Sequence, residues 1–241
     1  MERLLGVGHP AHSRPEPPPP LQPASYISTG VRGLDAALGG GVPRGAITEF
    51  YGEYGAGKTQ LVMQLSVMAQ RDGRVIYVDT EGTFRPERVV EMAAYRGMEP
   101  RRVLEGIEYA RAYTSMHLAA LLETAAEKAL DEGVVLVAVD EVSSLPRREE
   151  SGRGRVEAFH VIVGALKRLA SLGLAVAATR QVVTVGGELR PAGGAALDSY
   201  AVRSVFLEKH GEGVRRAVVV DELGYGRHAE FLLSEGGAVD L

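Results

Sequence analysis

Cysteine is absent from the 241 residues of this chain. Without it the protein forms no disulfide bond and has no thiolate nucleophile or cysteine-based zinc site. No apolar run reaches the roughly 18 residues that a membrane-spanning helix requires, and Pro10 with its polar neighbours interrupts any secretory leader. The formal net charge of −4 excludes a wholly basic coat for nucleic acid but allows a local basic loop. We expect a soluble, cytoplasmic protein without a membrane partner.

Proline is concentrated near the start of the chain, at positions 15 and 17–20. Such a run enforces an extended, polyproline-like backbone without a packed core, which predicts a disordered tail over residues 1–24. The whole chain is 45 % apolar and 24 % charged, which is the composition of a globular protein with a sizeable core. We predict one large domain over residues 25–241.

Apolar runs and helical spacings alternate along this domain. They predict helices at 31–38, 58–70, 86–96, 118–130 and 156–169, and strands at 46–51, 75–79, 107–110, 134–139, 175–178, 202–207, 217–220 and 230–233. The earlier strands are continuous apolar runs, which is typical of a parallel sheet covered by helices on both faces. The predicted fold class is α/β, with a largely parallel central sheet flanked by helices and with antiparallel C-terminal strands.

The segment between the first predicted long strand and the next helix fits a phosphate-binding loop. It reads Gly52-Glu53-Tyr54-Gly55-Ala56-Gly57-Lys58-Thr59 and matches the pattern G-x-x-x-x-G-K-[ST]. Glycines let backbone N–H groups approach the phosphates, Lys58 supplies a cation for the β and γ oxygens, and the Thr59 hydroxyl is a ligand for Mg²⁺. The segment therefore predicts ATP and Mg²⁺ as ligands.

Carboxylates follow two of the predicted strands. Asp140 ends an apolar strand at the edge of the sheet where α/β proteins bind ligands, which predicts that it lies beside the Mg²⁺ ion. A base must also activate the attacking water. Glu81 lies just beyond the strand that ends at Asp79, and Glu141 follows Asp140 directly, so both are candidates for the base. Their spacing alone does not choose between them.

Longer stretches of the chain, from about Ser25 to the C-terminus, resemble a known family. They are Ile27-Ser28-Thr29-Gly30, Leu38-Gly39-Gly40-Gly41, Asp79-Thr80-Glu81-Gly82-Thr83-Phe84-Arg85-Pro86-Glu87-Arg88, Tyr109-Ala110-Arg111-Ala112-Tyr113 and Ser151-Gly152-Arg153-Gly154. These stretches resemble the archaeal RadA recombinase and its eukaryotic counterparts, within the RecA superfamily. The resemblance implies a RecA-type P-loop ATPase core.

The resemblance also implies roles for individual residues. It makes Glu81 the base, Lys58 a catalytic cation and Gln181 the sensor of the γ-phosphate. It places Arg88 against the adenine, and Gln60 continues the nucleotide-binding segment beyond the phosphate loop.

A cluster of arginines falls where the family has its first DNA-contacting loop. Its members are Arg147, Arg148, Arg153 and Arg155. A flexible loop rich in glycine and arginine suits contacts to DNA phosphates. Without the resemblance, the same run of charge is more typical of a solvated loop.

The chain departs from the family pattern in parts that serve assembly and DNA coupling. A Pro-rich tail stands where the family has an N-terminal DNA-binding domain, and no Phe-x-x-Ala anchor precedes the core, because the first phenylalanine is Phe50. The second DNA loop, between Gln181 and Gly193-Gly194, is several residues shorter. Arg180 replaces an asparagine, and Glu141 replaces a small polar residue.

Two further departures lie late in the chain. A histidine that couples DNA to nucleotide is not evident near Asp198, Ser199 and Tyr200, and 222–226 lacks the proline of the segment that caps a neighbour's nucleotide.

These departures predict a RadA paralogue that assists homologous recombination. We expect it to bind DNA, single-stranded by preference, and to modulate the main RadA-type recombinase or another repair protein, with self-association possible. The alternatives are a nucleotide-gated interaction protein with little hydrolysis, a self-sufficient strand-exchange recombinase, and a RecA-fold regulator outside DNA repair.

Overall fold

The computed structural model describes residues 25–129, 132–149, 151–194, 197, 200–201, 203–220 and 226–241. The predicted tail over 1–24 lies outside this set. So do the predictions that rest on Asp198, Ser199 and residues 222–225.

The described residues alternate between strands and helices. In chain order these are β1 (Tyr26–Ile27), α1 (Arg32–Leu38), β2 (Val42–Pro43), β3 (Ala46–Gly52), α2 (Lys58–Ala69), β4 (Arg74–Asp79), α3 (Pro86–Tyr95), α4 (Pro100–Glu105), β5 (Ile107–Arg111), α5 (Ser115–Ala129), β6 (Val134–Asp140), α6 (Ser144–Glu149), α7 (Gly152–Ser171), β7 (Ala175–Val185), β8 (Glu188–Pro191), β9 (Arg203–Lys209), β10 (Val214–Val220), β11 (Gly226–Ser234) and β12 (Gly237–Asp240).

The central sheet has the strand order β12-β11-β10-β9-β3-β7-β6-β4-β5, and β8 pairs with β7 beside this path. The strands from β9 to β5 in this order run parallel to one another. The strands β10, β11 and β12 extend the sheet antiparallel at one side. The predicted α/β fold with a largely parallel sheet and antiparallel C-terminal strands is therefore confirmed.

Helices cover both faces of the sheet because each buries an apolar stripe. One core cluster includes residues of α1, α2 and α3, and the other includes residues of α5 and α7. Helix α3 begins with Pro86, whose fixed backbone suits the first helical position. Among the described residues, no helix combines the length and the apolar character needed to cross a membrane.

Strand register brings the predicted site residues to one edge of the sheet. Gly52 at the end of β3 lies opposite Gln181 in β7, and Asp79 at the end of β4 lies opposite Asp140 in β6. In parallel strands the carboxyl ends meet at the same edge, so these residues surround one crevice.

The predicted second DNA loop is in fact a β hairpin. The strand predicted at 175–178 continues to Val185 as β7, and its second half pairs with β8. The turn consists of Gly186 and Gly187, both with positive φ (61° and 86°), which glycine adopts without a Cβ clash.

The prediction of a flexible glycine- and arginine-rich loop near residue 150 was wrong. Arg147 and Arg148 lie in helix α6, and Arg153 and Arg155 lie in the first turn of helix α7. Helix α7 begins well before its predicted start because its buried stripe fixes the helix, and an exposed (i, i+4) ion pair between Arg153 and Glu157 supports the first turn.

The buried side chain of Gln64 in α2 joins distant parts of the chain. Its Nε2 donates to the backbone oxygens of Thr29 (2.7 Å) and Ala238 (2.9 Å), and its Oε1 accepts from the Ala238 N–H (2.7 Å). The helix that follows the phosphate loop is thereby bonded to both the β1–α1 connection and strand β12.

Candidate nucleotide site

A cavity of about 300 Å³ lies at the carboxyl edge of the sheet. It is lined by the residues that the sequence predicts to be catalytic or metal-binding, namely Lys58, Thr59, Glu81, Asp140 and Gln181. Strands β3, β4 and β6 end around it, β7 passes beside it at Thr179 and Gln181, and helix α2 begins at it. We call this space the nucleotide cavity.

The phosphate loop has the backbone that close approach to an anion requires. Gly55 and Gly57 have φ values of 76° and 99°, which disfavour any residue with a Cβ. A Cβ at Gly57 would also lie 2.9 Å from a methyl carbon of Leu233. Helix α2 starts at Lys58 without a side-chain cap, so its first N–H groups and its dipole face the cavity.

The ammonium group of Lys58 is held by three oxygen atoms. Its Nζ donates to the backbone oxygens of Gly52 (2.8 Å) and Glu53 (3.0 Å) and to Oε1 of Gln181 (3.2 Å). Burial lowers the pKa of Lys58 from its usual value, although nearby carboxylates partly offset this effect. The lysine and the predicted γ-phosphate sensor are thus in direct contact.

Asp140 is surrounded by hydroxyl groups. Thr59 (3.1 Å) and Thr179 (2.7 Å) donate to its Oδ1, and Thr83 (2.9 Å) and Tyr77 (3.1 Å) donate to its Oδ2. Burial raises the pKa of Asp140, and the hydroxyl groups act in the opposite direction because they stabilise the carboxylate.

The Thr59 hydroxyl and the Asp140 carboxylate fit a magnesium site. Hard oxygen ligands suit Mg²⁺, which keeps several waters and takes the rest of its ligands from substrate phosphates. Within the described ranges, no group of three or more His, Asp or Glu side chains forms a metal site. A site completed by phosphate oxygens is consistent with that finding.

The loop that carries Glu81 is organised by Asp79, which is fully buried. The Asp79 carboxylate accepts hydrogen bonds from the backbone N–H groups of Glu81 (2.8 Å), Gly82 (2.7 Å) and Phe84 (3.0 Å). Arg111 in β5 closes over it with a 2.8 Å ion pair. The sequence predicts Asp79 only as a strand end, although an aspartate just before a turn is a known signal for such capping.

Glu141 lines the same cavity but differs from Glu81 in solvent exposure and in hydrogen bonding. Glu81 is exposed, whereas the Glu141 side chain is 3 % exposed and its carboxylate accepts from the Ser143 hydroxyl. Burial raises the pKa of Glu141 to about 7. Both candidate bases therefore reach the cavity, and only Glu81 carries a carboxylate open to solvent.

Arg88 lies beside the cavity rather than in its lining. Its guanidinium donates to Oε1 of Gln60 (3.2 and 3.1 Å) and to the backbone oxygens of Ser234 (3.1 Å) and Glu235 (2.9 Å), and it pairs with Glu91. It thus connects Gln60, which lines the cavity, to the β11–β12 turn. Its contact with adenine stays a prediction.

Three residues near the phosphate loop were not predicted from the sequence. A Cβ at Gly55 would lie 3.2 Å from Nζ of Lys209, and Arg215 donates to the Gly55 backbone oxygen at 3.2 Å. Leu233 forms part of the cavity wall. They belong to the antiparallel strands β9, β10 and β11, whose pairing with the core leaves no local pattern in the sequence.

Arg180, which the resemblance marks as a departure from an asparagine, is a core residue. Its side chain is 1 % exposed and forms a 3.0 Å ion pair with Glu49. Ser204 donates to Glu49 at 2.8 Å, and the Tyr200 ring lies 5.7 Å from the guanidinium carbon. Burial raises the pKa of Glu49, and Arg180 opposes this shift. An arginine is accommodated in the core at this position of β7 because it pairs with Glu49 of β3, which also accepts a hydrogen bond from Ser204 of β9.

A second cavity, of about 480 Å³, lies beside helix α6 and the β7–β8 hairpin. Its lining includes Arg147, Arg155 and Arg190 together with the exposed side chains of Val183 and Val185. We call it the arginine cleft. The structure thus brings two of the four predicted DNA-contacting arginines together and adds Arg190 from the hairpin.

The other two predicted arginines lie outside this cleft. Arg153 has a side chain that is 93 % exposed and paired with Glu157 at 3.2 Å. Arg148 lines a separate hollow with Arg111 and Glu149.

The sheet order, the phosphate loop and the residues around it define a RecA-type P-loop core. A family profile described as Rad51 matches residues 22–241. This chain belongs to the Rad51 family.

Relatives in archaea and plants are similar to most of the chain. The "DNA repair and recombination protein RadA" of Cenarchaeum symbiosum (strain A) is 37 % identical over 237 residues, which cover 91 % of this chain and 60 % of that protein. The "DNA repair protein RAD51 homolog B" of Zea mays is 36 % identical over 237 residues (89 % of this chain, 69 % of that protein). The "Meiotic recombination protein DMC1 homolog" of Glycine max is 40 % identical over 235 residues (89 % and 68 %). The chain thus spans about three fifths of the RadA protein.

Proposed function

We propose that this chain is an ATP-binding, Mg²⁺-dependent P-loop ATPase that assists homologous recombination and DNA repair. The observation that carries the proposal is the meeting of Lys58, Thr59, Glu81, Asp140 and Gln181 around one cavity. The names of the relatives support the process, because they refer to DNA repair and to recombination. In this proposal residues 25–241 act as one RecA-like ATPase core.

Each residue has one task in hydrolysis. The N–H groups of the phosphate loop and the Lys58 ammonium bind the β and γ phosphates, which offsets charge that develops in the transition state. Glu81 accepts a proton from the attacking water, and Gln181 contacts the γ-phosphate through its amide. Thr59 and Asp140 would hold Mg²⁺, which would supply further positive charge beside the phosphates.

Single-stranded DNA is the ligand that we propose for the arginine cleft. Guanidinium groups of Arg147, Arg155 and Arg190 offer charge for backbone phosphates. The exposed side chains of Val183 and Val185 offer apolar surface beside them, and unpaired bases present apolar faces that duplex DNA hides. In this proposal the protein partner is the main RadA-type recombinase or another repair protein.

Phosphate release from ATP tests the site directly. We expect slow hydrolysis by the wild type and no hydrolysis by Lys58→Ala, each measured with and without oligothymidylate. Lys167→Ala, an exposed position on α7, is the matched control and should keep wild-type turnover. Equal turnover in Lys58→Ala and in the wild type would contradict the proposal that the nucleotide cavity is the site of ATP hydrolysis.

A nucleotide-gated interaction protein with little hydrolysis is the second candidate. Tyr113, just beyond the edge strand β5, is 70 % exposed, and Met116 in the first turn of α5 is 73 % exposed. Exposed apolar side chains close together favour protein docking. This candidate predicts that a non-hydrolysable ATP analogue changes the affinity for a recombinase while the wild type releases no phosphate above background.

Electron microscopy separates both candidates from a self-sufficient strand-exchange recombinase. Phe50, the first phenylalanine of the sequence, is fully buried in β3 and is not available as a polymerisation anchor. We expect no continuous helical filaments on DNA with ATP. Long regular filaments would favour the recombinase.

A further inference from the structure

The turn between β11 and β12 is bound from outside by Arg96, at the C-terminal end of helix α3. Arg96 Nη1 donates to the backbone oxygen of Gly236, and its Nη2 donates to that of Ala238 (3.0 Å). The ring of Tyr95 covers the same turn, because a Cβ at Gly236 would lie 2.4 Å from a ring carbon. The end of α3 therefore contacts this turn through one guanidinium group and one aromatic ring.

The turn depends on hydrogen bonds because two of its residues, Gly236 and Gly237, have no side chain to pack against a neighbour. The Ser234 hydroxyl donates to the backbone oxygen of Gly237 (3.1 Å) and accepts from the N–H of Gly236 (3.2 Å). These internal bonds set the shape of the turn. The bonds from Arg96 set its position against helix α3.

The position of this turn affects the lining of the nucleotide cavity at two residues. Leu233 directly precedes the turn and lines the cavity, where one of its methyl carbons would lie 2.9 Å from a Cβ at Gly57 of the phosphate loop. Arg88 donates both to backbone oxygens of the turn and to Oε1 of Gln60, which also lines the cavity. A displaced turn would therefore move Leu233 and disturb the hydrogen bonds of Gln60.

Leu233 approaches the cavity from the side opposite to Gln181. The phosphate loop follows β3, and in the sheet β3 has β7 on one side and β9, β10 and β11 on the other. Gln181, the proposed contact of the γ-phosphate, belongs to β7, whereas Leu233 belongs to β11. With the γ-phosphate at the β7 side, a triphosphate that follows the loop directs its ribose and base towards the wall formed by Leu233 and Gln60.

We propose that Arg96 is a positioning residue for nucleotide binding, because its bonds to the β11–β12 turn fix the cavity wall that receives the ribose and base. The inference rests on the proposed ATP site, since it assigns this wall to a nucleotide. Without Arg96, the turn occupies its native position in only a fraction of the molecules. The apparent affinity for nucleotide falls with that fraction, whereas the phosphate loop remains ready to bind phosphates.

Calorimetric titration with two ligands tests this role, with a non-hydrolysable ATP analogue and with inorganic tripolyphosphate, each in the presence of Mg²⁺. Arg96→Gln should weaken binding of the analogue about tenfold, because hydrogen bonds from a charged group are lost, and should change tripolyphosphate affinity less than about twofold. Arg96→Lys keeps the charge and one donor group, so its affinity for the analogue should lie between the two. Arg71→Gln is the matched control, because it removes the same charge from an exposed position in a different hollow, and it should bind both ligands as the wild type does.

Steady-state phosphate release gives a second readout. Arg96→Gln should raise KM for ATP and leave kcat unchanged, because the lost interaction is the same in the ground state and the transition state. The bonds between Gln64 and Ala238 still attach strand β12 to α2 in this variant, and melting curves followed by circular dichroism establish that it is folded. If Arg96→Gln does not fold, the same titrations of Arg96→Lys decide.

The outcomes separate the inference from the proposed function. If the wild type binds neither ligand, the proposed ATP site fails and the role of Arg96 fails with it. If the wild type binds both ligands and the Arg96 variants bind the analogue equally well, the positioning role is overturned while the ATP site stands. Equal weakening of both ligands would also overturn it, because Arg96 would then act on the whole site rather than on the wall for the ribose and base.

Discussion

The nucleotide cavity and the arginine cleft adjoin each other but are held together in different ways. In the cavity, Asp140 accepts four hydroxyl hydrogen bonds and Lys58 donates to three oxygens. In the cleft, Arg190 is an exposed side chain paired with Glu188 two residues away. Chemistry on a phosphate requires fixed donors, because misplacement is costly, whereas binding of a variable polymer tolerates adaptable charges. We therefore expect substitutions in the arginine cleft to be tolerated better than substitutions in the nucleotide cavity.

The largest effect should come from Glu81. Glu81→Gln keeps the shape of the side chain but removes the proton acceptor, so we expect kcat to fall by about a thousandfold. Glu141→Gln should lower kcat less than tenfold, because its carboxylate is buried against Ser143. The measurement is steady-state phosphate release, with Glu87→Gln at an exposed position on α3 as the control. The opposite order for the two glutamates would exchange their roles.

Substitution of Arg180 tests whether its buried ion pair with Glu49 stabilises the fold. Arg180→Ala leaves Glu49 buried without its partner, and we expect the free energy of unfolding to fall by about 3 kcal/mol. Arg168→Ala removes an exposed partner of Glu123 and should leave the urea midpoint unchanged. A loss in Arg180→Ala no larger than in this control would contradict a stabilising role for the pair.

Arg111 tests the positioning of the loop that carries Glu81. Arg111→Ala removes the ion pair that closes over Asp79. We expect kcat to fall about tenfold, because the base is displaced, while the affinity for an ATP analogue stays the same. Arg101→Ala, on the exposed face of α4, serves as the control. A change in nucleotide affinity with kcat intact would show that Arg111 acts on binding instead.

The smallest effects should come from the basic surface. Arg190→Ala should weaken oligothymidylate binding about threefold and reduce the salt dependence by about one charge. Arg153→Ala should weaken binding less, since Arg153 lies outside the cleft lining. Fluorescence anisotropy over a range of salt concentrations measures both. Equal losses in the two variants would mean that DNA does not distinguish the cleft from the surface around it.

The nucleotide cavity was largely predictable from the sequence because its parts are local. The phosphate loop is a contiguous pattern, and Asp140 follows an apolar strand whose register with β4 brings it opposite Asp79. The parallel sheet follows from the same apolar runs, so the strand ends converge where the sequence predicts.

The arginine cleft was less predictable because its contacts are distant or depend on tertiary packing. Val183 and Val185 form a strand only through pairing with β8, and Arg190 reaches the cleft through that hairpin. Helix α7 starts several residues before the first residue of its buried stripe, so the apolar pattern does not mark where the helix begins. Likewise, Lys209 and Arg215 approach Gly55 through strand pairing that no local pattern reveals.

The three hydrogen bonds of Gln64 have a consequence for the order of events during synthesis. Gln64 and Ala238 are separated by 174 residues, so a chain emerging from the ribosome has made helix α2 long before its partner strand β12 exists. Until then the amide of Gln64 lacks the two native bonds that it forms with Ala238. The contact between helix α2 and strand β12 therefore forms only when nearly the whole chain has been synthesised.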